Sequence, residues 1–362
     1  MVNKIITTYR SEIEATTRLE PRFYYKSNLL KSSFAKFGYE EINNFAILKS
    51  GSVPEHSENK KNDEDYYFIK SADVKRYNLN FSTISFVVSK VHKSRLNFKI
   101  IPNDILLSST GRLGFACIVP RTLKESSTSQ NIIRIRFKEK NLTKFNPHFL
   151  LAFLNSQFGQ VQMEALSTLT GQKYLNMESF RNYKIPKIDD EIIEGISQKI
   201  QNIENNEITS LSLLEQAQKF FYQKLGKKES DIPFIRTSDL VNHETDQFLD
   251  FFIPEEIYNE LSQDIKVGDV LFTKDGKIGM VAMITENDRA IIWLYPALRR
   301  TVIASTLPRL REERLREFEI PILDKKSIDE ITRLIKRAFG LKNEKKKLIK
   351  EAQGEIDNYF QV

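Results

Sequence analysis

The sequence predicts an α+β fold in which two tandem β-rich domains are separated by two long helices that pair with each other. Two observations predict this arrangement. The chain contains two long amphipathic segments without an internal proline, and blocks of sequence that precede each segment are repeated. The predicted boundaries are a first domain at 1–186, a first spacer helix at 187–226, a shortened second domain at 227–321 and a second spacer helix at 322–362.

Three sequence blocks occur twice, in the same order, which is the signature of internal duplication. The matched pairs are Phe68–Val74 with Phe234–Leu240, Asp104–Gly114 with Asp269–Gly279, and Phe180–Pro186 with Leu315–Pro321. We interpret the chain as a tandem duplication of a β-rich domain followed by a helix. The second block ends far closer to the third in the second copy, so the second domain is predicted to be abbreviated.

The first long segment, Lys187–Leu225, has the apolar periodicity of one helix face. Pro186 before it suits a helix start, and Gly226 after it suits a helix end. At about 1.5 Å per residue the helix would be roughly 50 to 60 Å long, which predicts a spacer. The polar run Asn205–Glu207 interrupts the apolar stripe. Members of the stripe are Ile193, Ile196, Ile200, Ile203, Leu211, Leu214, Ala217, Phe221 and Leu225.

The second long segment begins near Ile328 and follows Pro321, as the first follows Pro186. Its apolar positions have heptad-like spacing. They are Ile331, Leu334, Ile335, Ala338, Leu341, Leu348, Ala352, Ile356 and Tyr359. A lone helix of this kind cannot bury its apolar stripe, so we expect the two segments to pair. The alternative is that each helix packs separately on its own domain.

Short strand-like runs separated by turn residues indicate a β-rich first domain. The predicted strands are Tyr66–Ile69, Ile84–Val88, Asp104–Ser108, Gly114–Val119 and Ile132–Phe137. The apolar run Pro147–Phe158 predicts a core helix. Asp73 and Asp239 end matched blocks and are predicted to be turn or capping residues.

Composition bounds the class of protein. The chain has 362 residues with 40% hydrophobic and 28% charged side chains, which is typical of globular domains. A net charge of +7 favours a polyanionic partner without requiring one. The single cysteine, Cys117, excludes an intramolecular disulfide framework and fits a reducing compartment. No signal peptide or membrane span is evident, so a soluble, cytoplasmic protein is expected.

Each copy of the second block contains a cation between two glycines. Arg112 lies between Gly111 and Gly114, and Lys277 occupies the same place in the other copy. The pattern predicts strand, tight turn and strand, with the cation at the tip. Such a tip can present a positive group to a phosphate or a base edge. A solvated hairpin is the alternative for either turn alone.

A second set of polar residues occurs in the run Thr170–Asn176, which is a predicted loop. Gln172 and Lys173 lie beside Tyr174; glutamine can pair with adenine, and lysine can contact guanine or phosphate. A basic cluster with His92 is formed by Lys90, Lys93 and Arg95. Charge clusters of this kind are more often solvated faces than binding sites.

Catalytic motifs are missing from the sequence. There is no phosphate-binding glycine loop, no dinucleotide fingerprint, no His-Glu-x-x-His and no Cys-x-x-Cys. The four histidines are scattered, without the spacing of a metal site. We therefore expect a non-catalytic protein that binds no cofactor or metal.

The ordered set of motifs resembles the DNA-specificity subunits of type I restriction-modification enzymes. It comprises the repeated Phe-Ile-Lys/Arg-Ser/Thr-x-Asp block, the Asp-Ile/Val-Leu block, Thr-Gly-Gln-Lys-Tyr-Leu-Asn with Tyr-Lys-Ile-Pro, and a helix after each domain. The resemblance implies two target-recognition domains that each read half of a bipartite double-stranded DNA site. It also implies antiparallel spacer helices that dock two methyltransferase subunits, which would carry S-adenosylmethionine, and a motor-nuclease subunit as a further possible partner.

On this resemblance, eleven residues are candidates for DNA contact. They are Lys70, Lys90, Lys93, Arg95, Arg112, Gln172, Lys173, Tyr174, Arg236, Lys274 and Lys277. The second copy lacks a counterpart of Gly171–Lys173, so we expect the first domain to dominate specificity. Two alternatives stay open: a specificity subunit of a type II-like or other phage-defence methylation system, and a coiled-coil scaffold that binds proteins and not DNA.

Overall fold

The computed structural model describes residues 21–52, 66–81, 84–87, 99–123, 126–138, 143–167, 173–224, 240–241, 244–245, 267–272, 281–283 and 323–361. The chain divides into two units. One comprises residues 1–80, 84–204 and 348–362, and the other comprises 81–83 and 205–347. Helices and strands are mixed in the described residues, as predicted. None of the described helices combines the length and apolarity needed to cross a bilayer.

The helices are α1 (Pro21–Phe37), α2 (Ile42–Phe45), α3 (Pro147–Asn155), α4 (Gln157–Leu166), α5 (Met177–Phe180), α6 (Asp190–Lys224) and α7 (Lys325–Gln361). The strands of the first unit are β1 (Tyr39–Glu41), β2 (Ala46–Ser50), β3 (Tyr66–Ile69), β4 (Val74–Lys75), β5 (Asn78–Leu79), β6 (Ser85–Val87), β7 (Lys99–Ile100), β8 (Ile105–Ser108), β9 (Ala116–Ile118), β10 (Ser126–Thr128), β11 (Ile132–Phe137) and β12 (Lys184–Pro186). The second unit contains β13 (Leu240–Val241), β14 (Glu244–Thr245), β15 (Val270–Phe272) and β16 (Val281–Met283).

Two four-stranded sheets form the centre of the first unit. One has the order β6-β3-β10-β7, in which β3 and β10 are parallel and the other pairs are antiparallel. The other has the order β2-β11-β8-β9 and is antiparallel throughout. The predicted strands at Tyr66–Ile69 and Ile132–Phe137 are confirmed to the residue, and the other three are shorter at their ends.

Helix α3 is buried on all sides, which is why its sequence is apolar without a polar face. Phe149 and Phe153 stack in a row of aromatic rings that continues to Tyr183. Full burial of each phenylalanine contributes about 1.5 to 3 kcal/mol to folding. The prediction that this run belongs to the core is confirmed.

The prediction of a single helix over Pro147–Phe158 is wrong, because the helix is interrupted at Ser156. The Ser156 hydroxyl accepts a hydrogen bond from the Gly159 N–H at 3.1 Å and so begins helix α4. A Cβ on Gly159 would collide with the Phe153 carbonyl, so glycine permits this close approach. An apolar run alone does not reveal such a capping break.

Helix α6 begins later than predicted. Residues 184–186 form strand β12, in which Pro186 pairs with Tyr39 of β1, so the proline ends a strand and does not start the helix. The helix starts at Asp190, and the N–H groups of Ile192 and Ile193 donate to the Asp189 carbonyl. The described part of the helix runs to Lys224, and the predicted end at Leu225 lies outside the described residues.

The polar run Asn205–Glu207 does not interrupt helix α6. Glu207 is buried in the second unit, where its carboxylate accepts a hydrogen bond from the Lys345 Nζ at 2.7 Å. The Nζ of Lys342 lies 3.7 Å from the same carboxylate. Buried charges need such partners because an unpaired one is costly. The interruption of the apolar stripe is therefore a buried ion-pair layer.

Further along the same unit, the contacts of α6 with α7 become apolar. Leu213 and Ala217 form a buried cluster with Leu334 and Ala338. In the first unit, Lys199 of α6 and Glu355 of α7 form an ion pair at 2.7 Å.

The C-terminal part of α7 packs within the first unit. The ring of Phe360 contacts those of Phe158 and Phe153 edge to face, with centroid distances of 5.0 and 6.3 Å. Gln353 donates to the Asn155 carbonyl at 3.4 Å. The last turns of the chain are thus anchored to α3 and α4 by aromatic packing.

Two hairpins of the first unit recur in the second unit with the same register. In the β4–β5 hairpin Val74 pairs with Leu79, and in the β13–β14 hairpin Leu240 pairs with Thr245. In both, the paired strands are separated by two residues in sequence. A constant shift of 166 residues relates the two hairpins.

The longer hairpin follows the same rule with a shift of 165 residues. Its three pairs in the first unit are Ile105 with Ile118, Leu106 with Cys117 and Leu107 with Ala116. Those in the second are Val270 with Met283, Leu271 with Ala282 and Phe272 with Val281. The first repeated block therefore ends where the shorter hairpin begins, and the second contains the first strand of the longer hairpin, in both copies.

Candidate nucleic-acid interface

The turn between β8 and β9 presents Arg112, as the glycine pattern predicted. The Ser108 N–H donates to the Phe115 carbonyl, and the Gly114 N–H donates to the Ser108 carbonyl, both at 2.9 Å. Gly111 and Gly114 have φ angles of 70° and 80°, a region that favours glycine. The predicted strand, turn and strand are confirmed.

A distant segment, residues 173–175, lies along this turn. The Leu175 N–H donates to the Ser109 carbonyl at 2.9 Å, and Tyr174 forms a β-bridge with Thr110. Lys173 and Tyr174 are exposed. Two motifs that the sequence analysis treated separately are therefore neighbours, and a cation from each lies on one surface.

A third segment, the turn between β4 and β5, joins the same surface. Its two turn residues are Arg76 and Tyr77, and the Tyr77 N–H donates to the Ala116 carbonyl at 2.8 Å. The Arg76 guanidinium carbon lies 4.8 Å from the ring centroid of Phe115, and that of Arg112 lies 5.7 Å from the same centroid. Both distances are within the range of cation–π attraction. We call Arg76, Arg112, Lys173 and Tyr174 the cationic face.

Arg76 was missed by the sequence analysis. The signal available was its position directly after the first repeated block, at the tip of a two-residue hairpin. Residue type alone did not separate it from the other cations of the chain.

Gln160 of helix α4 links the β8–β9 turn to the β4–β5 turn. Its Nε2 donates to the carbonyls of Gly114 and Leu154, at 2.9 and 2.7 Å. Its Oε1 accepts a hydrogen bond from Arg76 at 3.3 Å. One amide side chain is thus bonded both to the turn that carries Arg112 and to the other arginine.

Tyr77 anchors its turn from the buried side. Its φ angle is 64°, which is rare for a bulky residue and marks a conformation imposed by the surroundings. Burial raises the pKa of the Tyr77 hydroxyl. The turn is therefore held against strand β9, with the Tyr77 side chain in the interior.

The remaining described candidate, Lys70, takes part in a backbone cap. Its N–H donates to the Asp73 carboxylate at 2.8 Å, and Asp73 is buried. The prediction that Asp73 is a capping residue is confirmed. Seven candidates lie outside the described residues: Lys90, Lys93, Arg95, Gln172, Arg236, Lys274 and Lys277.

Two arginines of strand β11, the buried Arg134 and the half-buried Arg136, do not belong to the cationic face. Hydrogen bonding to the Asp104 carboxylate raises the pKa of Arg136, with nitrogen–oxygen distances of 2.6 and 2.7 Å. Burial lowers the pKa of Arg134, which donates to the Lys99 carbonyl at 2.7 Å. Basic residues in a strand can thus stabilise the fold through hydrogen bonds to neighbouring strands and loops.

The cationic turns and their neighbours can be set against known families. The family model described as type I restriction modification DNA specificity domain matches residues 35–216. The chain belongs to this family. The predicted resemblance is confirmed, and DNA specificity is what the description of the matching domain states.

No curated protein matches the chain. Among solved structures, the chain is similar to the type IIG restriction endonuclease BpuSI, with 15% identity and a TM-score of 0.37 over 54% of this chain and 30% of that one. It is also similar to the HsdS subunit from Thermoanaerobacter tengcongensis, with 13% identity and a TM-score of 0.32 over 50% and 43%. A third similar chain comes from a study of complex assembly and conformational transition of the type I R-M system, with 13% identity and a TM-score of 0.33 over 87% and 97%. The chain spans less than half the length of the first two.

Proposed function

We propose that this specificity-domain protein is a double-stranded DNA recognition subunit that directs methyltransferase subunits to a bipartite site. The observation that carries the proposal is the convergence of Arg112 with Lys173 and Tyr174 on one surface of a chain from this family. Lysine and arginine on phosphates supply most of the affinity of such proteins, and a few contacts to base edges supply specificity.

Two reading heads are proposed, one in each half of the chain. The recurrence of two hairpins with matching strand pairs supports a duplicated scaffold. The second head lacks a counterpart of Gly171–Lys173, so the first is proposed to dominate specificity. The proposed boundaries are those of the sequence analysis: 1–186 and 227–321 for the heads, 187–226 and 322–362 for the helices.

The helices α6 and α7 are proposed to form an antiparallel paired spacer. Residue numbers rise along α6 from Lys199 to Ala217 while those of their partners on α7 fall from Glu355 to Ala338, which supports the antiparallel direction. A rigid rod of this length would hold two heads on major-groove segments about 34 to 36 Å apart, one helical turn of DNA.

The partners are proposed to be two methyltransferase subunits and, in a restriction complex, motor-nuclease subunits. S-adenosylmethionine would be carried by the methyltransferases, and this chain would bind no cofactor. Because the substrate is the DNA of the host cell and its invaders, the complex is proposed to act in the cytoplasm.

The decisive experiment maps genomic methylation in the host with and without this gene. Loss of one bipartite methylated motif on deletion, and its return on complementation, is the expected result. An unchanged methylation map would contradict the proposal.

A binding experiment separates the DNA reader from a protein scaffold. The purified methyltransferase complex is expected to bind a duplex carrying the motif, with affinity that falls as salt rises. Copurification with methyltransferase but no salt-sensitive DNA binding would favour the scaffold. Scrambling each half of the motif in turn tests the dominance of the first head, and equal losses of affinity from both halves would contradict it.

A further inference from the structure

The β4–β5 turn brings a cation to the cationic face that no sequence motif assigned. We propose that Arg76 is a DNA-contacting residue, that the ring of Phe115 is the platform that positions it together with Arg112, and that the contact is to a phosphate. The inference rests on the proposed function, because it adds a residue to the same surface.

The first argument is convergence. Arg76 and Arg112 belong to two hairpin turns that are 36 residues apart in sequence, yet both guanidinium groups lie within 6 Å of one ring. An anion placed beside the two guanidinium groups would be attracted by both of them. A phosphate is the anion that arginine binds with matching geometry.

The second argument is preorganisation. The Arg76 side chain is only partly exposed, and its guanidinium is held by the Gln160 amide as well as by the ring. The backbone of the turn is fixed by the hydrogen bond from the Tyr77 N–H to the Ala116 carbonyl. Ordering a long side chain before binding reduces the conformational entropy that binding must overcome.

The third argument is the difference between the copies. In the second half of the chain the residues that correspond to Arg76 and Tyr77 are Asn242 and His243. The strand pairs on either side are kept while the cation is not. A residue needed only to form the hairpin would not have to be an arginine, because the second copy forms the same pairs without one.

The test measures binding of the full chain to a fluorescein-labelled duplex of mixed sequence by anisotropy, at a series of salt concentrations. Arg76→Ala is expected to weaken binding about tenfold and to reduce the slope of log K against log salt by about 1, the value for one phosphate contact. Arg76→Lys keeps the charge and is expected to retain the slope while losing part of the affinity.

Two further variants separate a DNA contact from a structural role. Arg121→Ala removes an exposed arginine at the opposite end of strand β9 and is expected to leave the slope unchanged. Phe115→Leu keeps both arginines but removes the platform, so affinity is expected to fall a few fold with the slope retained. Urea unfolding of every variant establishes that the fold is intact.

The outcomes are distinguishable. If the wild-type chain and its methyltransferase complex show no salt-dependent DNA binding, the proposed function itself fails. If the wild type binds but Arg76→Ala leaves the slope unchanged, or if Arg121→Ala reduces it equally, the inference about Arg76 is overturned while the proposed function stands. If Arg76→Ala does not fold, the slopes of Arg76→Lys and Arg76→Gln decide, since loss of slope in the glutamine variant alone supports the contact and equal slopes refute it.

Discussion

The two copies of the longer hairpin have the same strand pairs but differ in the residues that precede the first strand. The second residue before the first strand has a positive φ in both, 69° at Asn103 and 95° at Gly268. It is followed by Asp104 in one copy and Asp269 in the other. Asparagine is among the few residues with a side chain that enter this region readily. The comparison teaches that the backbone conformation, and not the residue, is what the two copies share.

The copies keep their strand pairs while charged residues between the strands change. The cation between the glycines is Arg112 in the first copy and Lys277 in the second, and the shorter hairpin has Arg76 where the second copy has Asn242. A kept scaffold with changing tips is suited to two heads that read different sequences.

The largest effect is expected at the aspartate that follows the positive-φ residue. The Asp104 carboxylate is buried, accepts from the Ile101 N–H at 2.9 Å and binds Arg136. Asp104→Ala is expected to lower the free energy of unfolding by about 3 kcal/mol, because it leaves a charge and a backbone N–H without their partner. Asp269 is half-buried, so Asp269→Ala is expected to cost about 1 kcal/mol. Urea titration measures both, and equal losses would refute this difference.

The second prediction concerns the cation at the tip of each longer hairpin. Arg112→Ala is expected to weaken DNA binding by about 1 to 3 kcal/mol if it contacts a base, and the same range applies to Lys173→Ala. Lys277 lies outside the described residues, and Lys277→Ala is expected to have the smaller effect because the second head is proposed to be abbreviated. Anisotropy with the methylated motif as duplex gives all three values. If Arg112→Ala or Lys173→Ala leaves the DNA affinity unchanged, that residue does not belong to the interface.

The third prediction separates backbone strain from crowding in one turn. A Cβ on Gly114 would lie 2.8 Å from the Met163 sulfur and 3.0 Å from the Gln160 Oε1, whereas one on Gly111 would meet nothing within 4 Å. Both have positive φ, so Gly111→Ala is expected to cost about 1 kcal/mol. Gly114→Ala is expected to cost about 2 kcal/mol because its neighbours must also move. Unfolding free energies that do not differ would show that the neighbours yield freely.

The smallest effect is expected at the positive-φ position, where the first copy has Asn103 and the second has Gly268. Gly268→Ala is expected to cost about 1 kcal/mol, since alanine enters the left-handed region poorly. Gly268→Asn imitates the first copy and is expected to cost only a few tenths of a kcal/mol. Thermal unfolding of the two variants measures the difference, and an asparagine variant as unstable as the alanine variant would show that the copies are not interchangeable at this position.

Features that depend on neighbouring residues were predictable from the sequence. Features that depend on contacts between distant segments were not. The strands at Tyr66–Ile69 and Ile132–Phe137 followed from their residues, because alternation and turn residues act over a few positions. The break at Ser156 was missed because it depends on a cap and on the approach of Gly159 to Phe153. The inward position of Glu207 was missed because its partners are about 140 residues away in sequence.

The sequence by itself determined the repeated blocks, the β8–β9 hairpin with Arg112 in its turn, and the family. Only the tertiary structure decided that Arg76, Arg112 and Lys173 share one surface, and that Gln160 and Phe115 hold two of them. The physical reason is range. Backbone conformation is set largely by neighbours along the chain, whereas a binding surface is set by packing between segments that are tens to about a hundred residues apart.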